Sequence, residues 1–149
     1  MKPARSVVAA LGPPGEDGRY WCGPAAVAYL AEVPYREAFA AVELAAQRRI
    51  RSLCSTSELI RALAGYRLVP EPAPWARGVY LSRSYALPKR RALRHVVAEV
   101  PGRALVRVGG HFVALQNGRL YDNSRFDTDP GALRWLATHV IPVEEQRKP

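Results

Sequence analysis

The sequence predicts an α+β domain in which N-terminal helices pack on a C-terminal antiparallel β-sheet, and three features of its pattern lead there. Apolar residues recur at helical spacing as far as Val100, short β-prone runs take over from Arg103, and the two patterns are segregated where βαβ units would alternate them. Asn117-Gly118 is a strong two-residue hairpin signal, and Gly109-Gly110 marks a turn ahead of it. A chain of 149 residues, 48% apolar and 23% charged, suits one domain, 1–149, with an N-terminal arm at 1–19 and a charged tail at 144–149.

The arm is rich in Gly and Pro and reads as loop, with a short edge strand at Val7 to Leu11. A helix follows: Pro24 suits a first turn, where a missing N–H is no loss, and Ala25 to Ala31 continues it until Pro34. Cys22 then stands at the helix N-terminus. A second helix is expected from about Arg36 to Arg49, with Phe39, Val42 and Ala46 inward and Arg36, Glu37, Glu43 and Arg48 toward water. Ser55 and Glu58 read as a capping box for a third helix carrying Leu59, Ile60 and Leu63 and stopping at Gly65. Pro70, Pro72 and Pro74 make Val69 to Trp75 an extended loop. Leu93, Val96, Val97 and Val100 mark a fourth helix, closed by Pro101 and Gly102. An antiparallel meander begins at Arg103, a further helix is expected from Gly131 to His139, and Val140 to Val143 is a final strand.

The formal net charge of +9, from 22 basic and 13 acidic residues, favours acidic partners such as a protein surface, anionic lipid or nucleic acid. The basic residues gather at Arg48, Arg49 and Arg51 and at Lys89, Arg90, Arg91 and Arg94. Aromatic residues do not interleave with them as in a single-strand stacking platform, so solvated helix faces are expected ahead of a nucleic-acid surface. No apolar run approaches the roughly 18 residues of a membrane span, and the patch at Val7 to Leu11 is too short for a secretion signal. A cytoplasmic location with reduced thiols is expected, since two cysteines cannot build a disulfide framework; a single Cys22–Cys54 bridge is the alternative. Without paired Cys-x-x-Cys or His-x-x-x-His spacing, neither metal nor cofactor is expected.

A reactive cysteine works as its thiolate, and a helix N-terminus favours that form through its partial positive charge and unpaired amides. Gly23 permits close backbone approach, and the Cys22 N–H can donate to a developing oxyanion. Most free cysteines are inert core residues, so Cys22 needs a base. With Asn117-Gly118 at the turn, Gln116 faces Arg119, Val113 faces Asp122 and His111 faces Ser124, which makes His111 and Asp122 diagonal neighbours on one sheet face. Each residue alone reads as a local backbone partner or turn former, but together they form an imidazole oriented by a carboxylate, as thiol activation requires. His95 and His139 lack such an acidic neighbour and read as structural. Trp21, Trp75 and Trp135 read mainly as core or core edge; Trp21, adjoining Cys22, is the best candidate for a cleft wall.

Three stretches resemble the papain-like cysteine peptidase superfamily, especially small peptidases similar to the bacteriocin-leader-processing, double-glycine type. They are Tyr20-Trp21-Cys22-Gly23-Pro24-Ala25-Ala26, Gly110-His111-Phe112-Val113-Ala114 and Gly118-Arg119-Leu120-Tyr121-Asp122-Asn123. The resemblance implies a helix packed on an antiparallel sheet, Cys22 as nucleophile, His111 as base and Asp122 as the orienting residue. It implies a hydrolase acting on a peptide or isopeptide bond of a protein or peptide substrate. The superfamily usually carries an oxyanion-donating glutamine about six residues before its cysteine, where this chain has Glu16, and an ionised carboxylate cannot donate. Arg19 or a neighbouring backbone N–H then becomes the alternative donor. The other reading is a weak or inactive module with a structural or binding role on an acidic partner. Domains of this type also occur in bacteriophage genomes, which adds the virion to the expected locations.

Overall fold

The computed structural model describes residues 11–70, 85–123 and 134–146. Four helices are described, α1 (Cys22–Ala31), α2 (Tyr35–Ala46), α3 (Thr56–Gly65) and α4 (Leu93–Glu99). The strands are β1 (Leu68–Pro70), β2 (Ala86–Ala92), β3 (Arg103–Val108), β4 (His111–Gln116), β5 (Arg119–Tyr121) and β6 (Leu136–Glu145). They form one antiparallel sheet in the order β1-β6-β3-β4-β5, with β2 on the other half of β6. The chain is an α+β fold.

Helix α1, CGPAAVAYLA, has almost no polar face, and the residues from Cys22 to Leu30 are all buried. A helix apolar on every side has to be enclosed. It begins two residues before Pro24, at no cost because the first amides of a helix have no intrahelical acceptor. It ends where Glu32 turns left-handed, at φ 57°, and Pro34 becomes the N-cap of α2. The inward stripe of α2 is Tyr35, Ala38 and Val42, rotated from the expected one, so Phe39 and Ala46 lie only at the core margin.

The capping box is present: Ser55 Oγ accepts the Glu58 N–H at 3.2 Å and Glu58 Oε1 accepts the Ser55 N–H at 2.8 Å. Arg48, expected to face water, instead grips that carboxylate at both oxygens, at 2.8 and 3.0 Å, and donates to the Leu53 carbonyl at 3.1 Å. A planar guanidinium matches a carboxylate in this bidentate way, and the pair ties the end of α2 to the start of α3.

The meander keeps the expected register: Gln116 faces Arg119, Leu115 faces Leu120 and Ala114 faces Tyr121. Both turn residues have positive φ, 51° at Asn117 and 79° at Gly118, as a type I′ turn needs. Alternation along β3 and β4 supplies two cores. Leu105, Phe112 and Ala114 join α1, α2 and α3 on one side, and Ala104, Val106, Val113 and Leu115 join α4 on the other. Helices therefore cover both faces.

Four expectations are corrected. The helix placed at Gly131 to His139 gives way, from Leu136 onward, to the ten-residue strand β6. That segment is rich in β-branched residues and pairs with β3 on one side and with β1 and β2 on the other. The tail placed at 144–149 starts inside β6: Glu144 and Glu145 pair with Val69 and Leu68, and the Gln146 N–H reaches the Arg67 carbonyl at 2.7 Å. Part of the loop placed at Val69 to Trp75 is edge strand β1, ending at Pro70 as a proline-bearing edge can. Strand β2 was not expected, because Pro88 and a basic run break its pattern; its register shifts between Ala86 and Arg91, across that proline. The remainder of the Val69 to Trp75 loop, the Val7 to Ala10 part of the edge strand and the start of the Gly131 helix lie outside the described residues.

Hydrogen bonds from Arg48 outweigh the cost of burying the Glu58 carboxyl and pull it from an ordinary 4.5 down to about 2. A group depressed in the folded state contributes stability that is complete above its unfolded pKa and is lost as pH falls through the folded one. Urea denaturation of the wild type is therefore expected to weaken between about pH 4.5 and pH 2 with Glu58 contributing to the slope, and Arg48→Ala is expected to flatten that part of the profile.

Candidate active site

The loop before α1 is folded on itself by Gly15 and Asp17. The Gly18 N–H bonds the Gly15 carbonyl at 2.9 Å, and the Gly15 N–H bonds the Arg19 carbonyl at 3.3 Å. Asp17 accepts the Arg19 N–H and the Trp21 indole N–H, each at 3.0 Å, and the indole bond first, then the Arg19 amide, holds its carboxyl below the usual range. Trp21 is the N-cap of α1 but offers no capping side-chain bond, and its own N–H is taken by the Tyr35 hydroxyl at 2.8 Å. The first amides of α1 are left with their partial positive charge beside Cys22.

His111 opens β4 directly after the Gly109-Gly110 turn, and Asp122 follows β5. His111 Nε2 and Asp122 Oδ1 are 2.5 Å apart. That bond occupies one ring nitrogen and leaves Nδ1 available on the cleft that His111 shares with Cys22, where His111 and the Phe112 backbone act on the thiol's ionisation. Asp122 is held from two sides. The Tyr29 hydroxyl donates to its carbonyl at 3.2 Å, and neighbouring Asn123 donates from Nδ2 to the Tyr20 carbonyl at 2.7 Å. Cys22, His111 and Asp122 are thus brought together, His111 sharing a cleft with Cys22 and bonding Asp122.

Burial opposes ionisation of Cys22, but the bonds from His111 and the Phe112 amide outweigh it, and the thiol lies below its ordinary value. The Asp122 bond first, then the Cys22 bond, raises His111 from 6.5 to about 9. Each partner favours the charged form of the other, which describes a thiolate beside an imidazolium. Cys54 contrasts with this, because burial, and then the Glu58 charge, pushes its thiol up to about 12.

Arg19, Tyr20, Trp21, Cys22, Leu53, His111 and Asn123 line a shallow cleft of about 440 Å³. Trp21 is a wall of it, as expected from its place beside the cysteine. Glu16 is exposed and lines a different, larger hollow of about 600 Å³, together with Asp17, Arg36, Phe39, Glu43 and Arg49. That hollow's lining includes no thiol or imidazole. Gly23 has a packing role: a Cβ there would stand 3.0 Å from Cys54 Sγ and 3.1 Å from Leu59 Cδ2. The close approach it permits is by Cys54 inside the core. Trp135 packs edge-on to His111, with centroids 5.7 Å apart, while Trp75 lies outside the described residues. His95 is exposed on α4, and His139 bonds Thr138 away from the cleft.

Sequence reasoning missed Tyr29, Phe112 and Asn123. A signal existed for Tyr29, which stands seven residues after Cys22 and so on the same helical face. For Phe112 and Asn123 no sequence signal existed, since their parts depend on how α1 meets the sheet. Among the described residues no cluster of three or more His, Cys, Asp or Glu side chains could hold a metal ion, and no helix is long and apolar enough to cross a membrane. Comparison with family models, curated proteins and solved structures gives no match.

Because Asp122 is the largest cause of the raised His111 pKa, proton NMR of the ring is expected to show His111 titrating near pH 9, and Asp122→Asn should return it toward 6.5. The pairing raises the folded pKa, so its stabilisation is complete below about pH 6.5 and fades as pH rises through about 9. Gly23→Ala is expected to cost about 1–3 kcal/mol in urea denaturation through overpacking, and less in a Cys54→Ala background. Strictly additive losses would show that the two positions do not press on each other.

Proposed function

We propose that this chain is a papain-like cysteine hydrolase that cleaves a peptide or isopeptide bond through Cys22, His111 and Asp122. The observation that carries the reading is the placement of the Cys22 thiol and the His111 ring on one cleft at the start of α1, with the ring bonded to the Asp122 carboxylate at 2.5 Å. The helix, hairpin and residue order expected from the superfamily resemblance support it.

In this mechanism the Cys22 thiolate adds to the substrate carbonyl while His111 carries the proton as imidazolium. The tetrahedral adduct collapses with cleavage of the C–N bond, and His111 protonates the departing amine. Water, deprotonated by His111, then attacks the thioester, releasing the acid and restoring the thiol. Asp122 keeps Nδ1 of the ring facing sulfur and stabilises the imidazolium in both halves. Tyr29 holds the backbone of Asp122 so that this alignment survives the change of charge.

The test is alkylation by iodoacetamide across pH, together with labelling by a neutral acyl probe. Cys22 is expected to alkylate at pH values below the ordinary thiol range near 8.5, with Cys54 silent. Cys22→Ala should abolish acyl labelling, and His111→Ala should slow it by about 100- to 10,000-fold. A Cys22 thiol that titrates normally and is indifferent to His111→Ala would leave the chain a binding module on an acidic partner.

A further inference from the structure

We propose that the Arg19 guanidinium, together with the Cys22 backbone N–H, is the oxyanion donor of this site. The inference rests on the hydrolase reading above and names the group that completes it. When the thiolate adds to a carbonyl, the new C–S bond displaces the C=O π pair onto oxygen, and that charge needs donors already pointing at it. The chain has few ways to supply them. Glu16, at the position where the family resemblance leads one to look for a donor, lines the other hollow and carries a carboxylate. Within the cleft, Asn123 is a neutral amide with one of its two N–H groups fixed on the Tyr20 carbonyl at 2.7 Å, and the Trp21 indole N–H is held by Asp17 at 3.0 Å. His111 is engaged with Asp122 and serves as the base. Arg19 is the cleft side chain that offers several N–H groups together with a fixed positive charge.

Its position is defined by the loop that also presents the nucleophile. The Arg19 N–H is bonded to Asp17, its carbonyl to the Gly15 N–H, and its guanidinium carbon lies 5.5 Å from the centroid of the Trp21 ring. Two residues separate it from Cys22, so backbone and side chain approach the same cleft from one anchored turn. The nearby Asp17 carboxylate attracts the guanidinium, but its two oxygens are already taken by the Arg19 amide and the Trp21 indole. A guanidinium stays charged at every working pH and donates more strongly than a neutral amide. The chemistry expected is an oxyanion neutralised by a fixed cation, with the proton transfers left to His111.

The experiment compares two reactions of Cys22 in the full chain. Acylation by 4-nitrophenyl acetate passes through an oxyanion, whereas alkylation by iodoacetamide displaces iodide and does not. The ester carries no charge, so a role for Arg19 in binding a substrate carboxylate would not register. Arg19→Ala is expected to slow acylation by about 100- to 1,000-fold while leaving the alkylation rate and its pH profile as in the wild type. Arg19→Lys and Arg19→Gln, which restore a donor, should each recover part of the loss. Equal losses in both reactions would overturn the proposal, since Arg19 would then act on the thiolate. Acylation unchanged in Arg19→Ala would overturn it as well. Wild-type alkylation that does not depend on His111 overturns the hydrolase reading and this inference with it; alkylation that does depend on His111 keeps that reading standing whatever Arg19→Ala does.

Discussion

The enclosure of α1 is the constraint on which the rest of this molecule depends. A helix with nine successive buried residues from Cys22 to Leu30 cannot lie on a surface, so every side of it must be covered. The sheet covers one side through Leu105, Phe112 and Ala114, and α2 and α3 cover the others through Tyr35, Val42, Leu59 and Leu63. Small residues set how close these neighbours come: Ala25 and Ala26 lie against the core, and Gly23 lets Cys54 approach where a methyl group would collide.

Enclosure also decides where the helix starts. With its body gripped by β4 on one side and α3 on another, α1 brings its first turn out at the end of the sheet where the Gly109-Gly110 turn delivers His111. The same helix reaches back two turns later, where Tyr29 holds the carbonyl of Asp122. One rigid element thus positions the thiol directly and the carboxylate indirectly, and the imidazole is caught between them. Against burial, which alone would keep the thiol neutral, His111 and the Phe112 amide then act in one direction on it.

The cleft wall is maintained by a second set of interactions away from the chemistry. Arg48 locks the capping-box carboxylate of α3 and holds the Leu53 carbonyl, so Leu53, half exposed at 57%, stands as one side of the cleft. Asp17 performs the same service for Trp21 on another side. The two thiols, close in the fold, have opposite environments: Cys22 is drawn down by donors, and Cys54 is pushed up by burial and by the Glu58 charge. Proximity in space does not equalise them, because ionisation depends on the partners each sulfur meets.

Local pattern was enough to read α1, α3, α4 and the Asn117-Gly118 hairpin, because capping, turn chemistry and helical spacing involve residues near one another in the chain. The pairing of His111 with Asp122 was legible for the same reason: a two-residue turn sets the register of both strands. Strand β6 was not legible from its own residues, since its partners β1, β2 and β3 lie far away in sequence and outweigh a helix-compatible start. Nor was the grip of Arg48 on Glu58 or the place of Glu16 in a separate hollow legible, since both depend on how loops fold over helices. The sequence by itself determined the helix that carries Cys22 and the hairpin that aligns His111 with Asp122. Only the tertiary structure decided that these two units meet, because their meeting comes from burying an apolar helix against a sheet formed almost a hundred residues later.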